Sequence, residues 1–314
     1  MSYKTPEISV ALPVYNGERH MREAIESVLS QTFDDLELVI VDNASSDSTW
    51  EICQEYSRLD ERVHTYRNTT NIGSYRNFAR ALQLTRGNYF LWLAHDDILE
   101  ETYLAKCHSF LSSHPDYWCC YANTIVISPE SSELSCLWPL AAITDSDTVE
   151  RFKACLDAGW RIVHATYGMF RREQIRHIPF LDKPFLWAEE RLLLNVALRG
   201  KIHLIEEPLR RCRIRPGSGS DGTKPLPAFW SDLVGPDERI PLFPWTRIIS
   251  ILSRDILSLD LGIIKKAYLL VLLSARKDTL RRVNRDVVHG LSVWTMDKPR
   301  MRHMLTHVWH RMRA

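Results

Sequence analysis

Apolar residues in the first hundred positions fall into short strand-like runs separated by stretches of helical period. Ile8–Pro13 is one such run, closed by proline, and Leu36–Val41 is a second. Between them Met21, Ala24, Ile25, Val28 and Leu29 share the i, i+3, i+4, i+7, i+8 spacing of one helix face. Ser48 followed by Glu51 reads as a capping box, and Ile52, Tyr56 and Leu59 continue that helix. Val63–Arg67 predicts a weaker strand, Tyr75–Thr85 a helix stopped by Gly87, and Tyr89–Ala94 a buried strand that runs into His95-Asp96-Asp97. Strands alternating with helices predict a mostly parallel α/β sheet with right-handed crossovers.

Further along the pattern is more mixed. Tyr117–Ile127 predicts one long or two short strands, Ser128–Thr144 a loop, Val149–Leu156 a helix and Thr166–Phe170 a strand. Glu189–Arg199 reads as a helix ended by Gly200, followed by a strand over Lys201–Glu206. Arg213–Thr223, rich in Gly, Ser and Arg, reads as a mobile segment. Beyond Pro241 the texture becomes helical, starting with Ile248, Ile249, Leu252 and Ile256. The expected organisation is an α/β domain over 1–225 and a helical C-terminal region over 226–314.

Composition narrows the classes. Forty Lys/Arg against 39 Asp/Glu give a net charge of +1, which argues against a nucleic-acid coat protein. The seven cysteines form no C-x-x-C pair, so neither a zinc ribbon nor a disulfide framework is expected, and a reducing, cytoplasmic setting fits. The N-terminus lacks the pattern of a signal peptide, and no apolar run approaches the ~18–20 residues of a spanning helix. Charge is uneven at the end: ten Lys/Arg against three Asp from Ala275 onward make that segment +7, leaving −6 for the rest. Met301, Met304, Leu305, Val308 and Met312 share one helical face there. A basic amphipathic helix either binds a membrane surface, at the cytoplasmic face, or packs on its own domain, and the sequence leaves both open.

Open α/β sheets bind ligands beyond the carboxyl ends of their strands. Three such ends carry polar residues here: Pro13-Val14-Tyr15-Asn16-Gly17-Glu18, Asp42-Asn43-Ala44-Ser45, and Ala94-His95-Asp96-Asp97. Adjacent acids at a buried strand end need a cation or a partner, and hard oxygen ligands select Mg or Mn shared with substrate phosphates. A helix cap plus a first-turn acid accounts for an Asp-Asp pair equally well; Asp42 two strands earlier tilts the balance toward a nucleotide site. No G-x-G-x-x-G or G-x-x-x-x-G-K-[ST] follows the first strand, which disfavours a dinucleotide oxidoreductase and a P-loop NTPase. A nucleotidyltransferase would want a basic Gly-rich loop there, also absent. Trp92, Trp160 and Trp187 read as core or rim, and His164 as an ordinary satisfied histidine.

The stretch VALPVYNGERHMREAIESVLSQTFDDLELVIVDNASSDSTWEI resembles the opening of family 2 inverting glycosyltransferases, which have the GT-A nucleotide-diphospho-sugar transferase fold. The likeness continues through Asn71-Ile72-Gly73, Arg86–Phe90, His95-Asp96-Asp97, Glu189–Gly200 and Arg213–Ser220, covering roughly residues 7–220 with 128–165 poorly matched. It implies that Pro13, Val14, Tyr15 and Glu18 line the nucleotide pocket and that Asp42 bonds the base. Asn43, Asn71, Gly73, Asn77, His95 and Asp97 fall among the residues holding the donor. Asp96 stands where the family ligates Mn2+ or Mg2+. The family's Asp-x-Asp-Asp reads Ala94-His95-Asp96-Asp97, so its first acid is lost and His95 is a partial substitute. Gapless alignment back from Gly200 puts the family's catalytic aspartate on Glu189, with Glu190 one step away. A helix-dipole role for both glutamates is the plain alternative. The family's Arg-x-His, which closes over the diphosphate, reads Arg213-Ile214-Arg215. The resemblance implies metal-assisted, inverting transfer from a nucleotide sugar, UDP-linked in most members, to a glycan or lipid-linked hydroxyl in surface polysaccharide or glycoconjugate synthesis. The lost acid and altered base also allow a catalytically degenerate scaffold.

Overall fold

The computed structural model describes residues 5–135, 140–178, 188–214, 232 and 244–275. The chain divides into two compact units, Met1–Glu238 and Arg239–Ala314, a break close to the change of texture at Pro241 and later than the expected boundary at 225.

The first unit is built on one mixed sheet. Strands β1 (Ile8–Val14), β2 (Leu36–Asp42), β3 (Val63–Arg67) and β4 (Tyr89–Trp92) are parallel, in the order β3-β2-β1-β4. Helices α1 (Met21–Leu29), α2 (Thr49–Leu59) and α3 (Ser74–Leu84) make the crossovers. Every residue of β1 and β2 is buried, as strands covered on both faces require. Two polar residues, Ser9 and Glu37, sit inside these runs: Ser9 donates to Glu37 at 2.6 Å, and the Arg86 guanidinium pairs with the same carboxylate at 2.8 Å. Gly87 lies so close that a Cβ there would meet the Ser9 nitrogen at 2.7 Å.

The sheet then departs from the parallel expectation. After β5 (Ile98–Leu99) and helix α4 (Tyr103–Ser113), β6 (Tyr117–Ile127) is a single long strand. β7 (Glu133–Ser135) pairs antiparallel with it, so the segment expected to be all loop adds a strand. Helix α5 (Thr148–Ala158) begins at Asp147, whose carboxylate accepts from the Val149 and Glu150 amides. A 3-10 helix, Gly159–Tyr167, occupies the start of the expected 166–170 strand and shifts β8 to Met169–Arg171. β8 runs antiparallel between β4 and β6. A short helix α6 (Arg172–Arg176) and helix α7 (Ala188–Arg199) follow. β9 runs over Lys201–Arg213, twice the expected length, parallel to β6 and antiparallel to β5. The capping box does not form: Ser48 makes no side-chain cap, and its amide donates instead to Glu18 at 2.9 Å.

In the second unit, α8 (Pro244–Ser258) and α9 (Ile263–Ala275) bury Leu252, Ile256, Leu269 and Leu273. No described helix is long and apolar enough to cross a membrane. The +7 segment after Ala275, with its Met301–Met312 stripe, lies outside the described residues, as do Arg215 and most of Arg213–Thr223.

Candidate active site

The parallel register aligns the carboxyl ends of three strands: Val14 stands beside Asp42, and Asp42 beside Arg67. The loops beyond them are tied together by local polar contacts. The Asn16 amide donates to Ser45 at 2.9 Å, the Gly17 amide to Thr49 at 2.8 Å, and the Ser46 amide to the Asn16 side chain at 3.0 Å. Asn16 takes a φ of 50°, a left-handed conformation that asparagine tolerates. Gly17 has no room for a side chain, since a Cβ would meet Val14 Cγ2 at 2.5 Å and His95 Cδ2 at 2.8 Å. The first and third strand ends are thereby brought into contact. Tyr15 is left 45% exposed at the mouth, and the backbone and side chains of Pro13 and Val14 are buried beneath it.

Asp42 is fully buried. Its Oδ1 accepts from the Ser45 amide at 3.1 Å and from the Ser45 hydroxyl. Arg67 Nε lies 3.0 Å from Oδ2, although its N–H is not aligned for a hydrogen bond, so the contact is a charge pair. Arg67 also donates to the Ser45 carbonyl at 2.8 Å and lies 5.4 Å over the Trp50 ring. In this state Arg67 covers the group expected to read the base.

Next to Asp42 four asparagines form a network, one of which, Asn68, sequence reasoning missed. Asn43 accepts from Asn68 and the Ile72 amide, at 2.8 and 3.0 Å, and donates to Asn71 at 2.8 Å. Asn71 also accepts from the Gly73 amide at 2.9 Å, where Gly73 holds a φ of 83° at the start of α3. Asn77 accepts from Asn68 and donates to the Val41 carbonyl, both at 2.9 Å. Asn43 and Asn77, expected among the residues holding the donor, are both buried, with their side-chain polar atoms hydrogen-bonded within the protein.

The acidic turn after β4 is clamped by β9. Asp97 is buried; its Oδ2 accepts from Arg210 Nε at 3.1 Å and from the adjacent guanidinium nitrogen, and its Oδ1 from the Arg213 amide at 3.0 Å. Burial pushes the Asp97 carboxyl upward, and the Arg210 guanidinium opposes this. Arg213 is buried as well. It donates to the carbonyls of Asp96, Ser128 and Pro129 at 3.0, 3.2 and 3.0 Å and to Glu23 at 3.0 Å. Asp97 and Arg213, expected among the donor-holding residues, brace the turn that carries Asp96. The pairing of β5 with β9 sets up the clamp by placing Ile98 opposite Arg211 and Leu99 opposite Arg210.

Arg210 also links this turn to the start of α7. Its guanidinium carbon lies 4.4 Å from the centre of the Tyr167 ring. Burial and then the charge of Glu189 push the Tyr167 hydroxyl above its ordinary range, which places Glu189 within electrostatic reach. Burial and Arg210 push His164 down to about 3, so it is neutral at physiological pH. Glu189 is solvent-accessible, yet the surrounding protein displaces enough water to push its carboxyl up, and the Glu190 charge adds to this. Glu190 is half-buried. Trp92 is core, donating to the Phe78 carbonyl at 3.1 Å.

The model of glycosyl transferase family 2 matches residues 9–178, more than half of the chain. The chain belongs to glycosyl transferase family 2. Among relatives of this family, a glycosyltransferase of Rickettsia typhi is 38% identical over 94 residues, covering 30% of this chain and 28% of the relative. The Bacillus subtilis putative teichuronic acid biosynthesis glycosyltransferase TuaG is 34% identical over 106 residues, 34% of this chain and 42% of that protein. This chain therefore spans well under half the length of these curated relatives. Among solved structures, S. aureus TarS in complex with UDP-GlcNAc superposes with a TM-score of 0.59 at 18% identity, over 88% of this chain and 72% of that one. This likeness establishes the family's GT-A fold.

The family's metal is testable against the side chains. Among the described residues no group of three or more His, Cys, Asp and Glu side chains is placed to hold an ion. Asp97 is committed to Arg210, and Ala94 offers no ligand, which leaves Asp96 with His95 beside it. One carboxylate would suit a Mg or Mn ion shared with substrate phosphates.

Proposed function

We propose that this chain transfers a sugar from a nucleotide-diphosphate donor, UDP-linked by preference, to the hydroxyl of a glycan or lipid-linked acceptor with inversion, in surface polysaccharide or glycoconjugate synthesis. The observation that carries the reading is the clamp of Asp97 by Arg210 behind the Asp96 turn, with Arg210 stacked over Tyr167 and Glu189 within electrostatic reach of that tyrosine. Glu189 takes the proton from the acceptor hydroxyl. The acceptor oxygen then bonds the anomeric carbon from one face as the bond to the diphosphate breaks on the other. A raised pKa suits this role, because a stronger base removes the proton more readily. A divalent ion held by Asp96 would offset the charge growing on the diphosphate. Tyr15 at the mouth and Asp42 beneath Arg67 are the groups for the nucleoside, and Glu18 latches the loop through the Ser48 amide. Acceptors of this kind place the enzyme at the cytoplasmic face of a membrane. TarS in complex with UDP-GlcNAc and the naming of TuaG for teichuronic acid biosynthesis support the donor and pathway class.

The test is a panel of nucleotide sugars, with and without Mn2+ or Mg2+, read by thermal shift and by donor hydrolysis. One donor that stabilises the protein and is hydrolysed in a metal-dependent manner is the expected result. Binding without hydrolysis or transfer under any metal condition would favour the degenerate scaffold.

A further inference from the structure

Helix α9 is apolar around most of its circumference, and the structure covers only part of it. Leu269 and Leu273 are buried, on one side. On the other, Ile264, Tyr268 and Val271 follow at i, i+4, i+7 and are 82%, 48% and 57% exposed, with Ile263 beside them at 83%. Ala267 and Ala275 extend the same exposed stripe, and Lys265 stands on its flank. A helix that is apolar all round is normally enclosed, so half of its apolar surface here faces outward. Charge indicates the partner. Arg239–Ala314 holds fifteen Lys/Arg and five Asp, a net charge of +10, whereas Met1–Glu238 is −9. The near-zero total conceals a strong segregation. The Ile263–Ala275 helix itself has two lysines and no acid.

We propose that the Ile264/Tyr268/Val271 face of α9 is a docking surface for an anionic lipid bilayer, lying in the headgroup region while Lys265 and other basic residues of this unit meet the lipid phosphates. An apolar stripe on a unit of net charge +10 is complementary to such an interface, and each basic residue brought near an anionic surface strengthens binding by about five-fold, less as salt rises. A second copy of this +10 unit would meet the same face with like charge. The proposal deepens the reading of a membrane-facing acceptor, but its physical basis is independent of the sugar chemistry.

The experiment uses the full chain and co-sedimentation with vesicles of phosphatidylcholine alone and of equimolar phosphatidylcholine and phosphatidylglycerol, at low and high salt. The parent is expected to pellet with the anionic vesicles at low salt and to be released at high salt. Ile264→Ser/Tyr268→Ser/Val271→Ser should lower the bound fraction at least ten-fold with an unchanged melting temperature. Ile263→Ser/Ile264→Ser, confined to the two most exposed positions, should lower it less. Donor hydrolysis without vesicles should be the same in all three proteins, so loss of the glycosyltransferase reading would be seen separately. The proposal is overturned if the parent stays in the supernatant at low salt or if both variants bind like the parent. It is equally overturned if the substitutions dissociate an oligomer in the absence of lipid, or lower the melting temperature because the stripe is covered by the chain itself.

Discussion

Arg210 and Asp97 are each 3% exposed, so the pair is dry on both sides. Replacing Arg210 by Met removes the only guanidinium donating to Asp97 Oδ2 among the described residues, while the Arg213 amide at 3.0 Å remains on Oδ1. The variant thus buries a carboxylate whose charge has lost its partner, a change that costs about 3–5 kcal/mol. The methionine thioether keeps a contact with the Tyr167 ring, so little of the loss comes from packing. For a unit the size of Met1–Glu238, that loss should lower the melting temperature by about 6–20 °C. The informative comparison is Arg210→Met/Asp97→Asn. It buries neither charge, and the carbonyl oxygen of the introduced side-chain amide can still accept from the Arg213 amide, so it should recover to within about 1–2 kcal/mol of the parent. Urea unfolding of the two single variants and the double gives the cycle. A single-variant loss below about 1 kcal/mol, or a double variant as unstable as Arg210→Met, would refute the reading of this pair as the clamp of the acidic turn.

Four further outcomes follow from the site. Glu189→Gln should lower kcat by roughly 10²–10⁴ with donor affinity intact, and the acid limb of the parent's rate profile should lie above the ordinary carboxylate range; a large loss in Glu190→Gln and little in Glu189→Gln would reverse the assignment. Because folding raises the Glu189 pKa, its ionised form costs stability above the folded-state pKa and nothing below the unfolded one, so the same variant should gain stability at pH 8 and lose that gain on acidification, as thermal melts at the two pH values would register. Asp96→Ala should abolish the metal dependence of donor binding in calorimetry with and without Mn2+; metal-dependent affinity equal to the parent's would remove Asp96 from the site. Asp42→Ala should weaken donor binding by about 1–3 kcal/mol, whereas Arg67→Ala, which uncovers Asp42, should not; equal losses in both would mean that Arg67 itself contacts the donor.

The sequence alone determined the parallel half of the sheet. β1 to β4 and α1 to α3 were legible because each carries its own period and its own stop signal, and the crossovers between them are short. The resemblance located the acidic turn and the α7 start for the same reason, since their motifs are contiguous in the chain. Tertiary structure decided which of those polar residues stay available. Asn43, Asn77, Asp97 and Arg213 carry the residue types of contact groups, but burial obliges each to find a protein partner, and those partners come from distant segments. Arg210 meets Asp97 across 113 residues and Arg213 meets Glu23 across 190. No local pattern encodes such pairings; they exist because β5 and β9 lie side by side. The same holds for Arg67 over Asp42, which depends on the register of β2 against β3, and for the outward stripe of α9, where the sequence shows only a helix apolar all round and packing chooses the half that is covered.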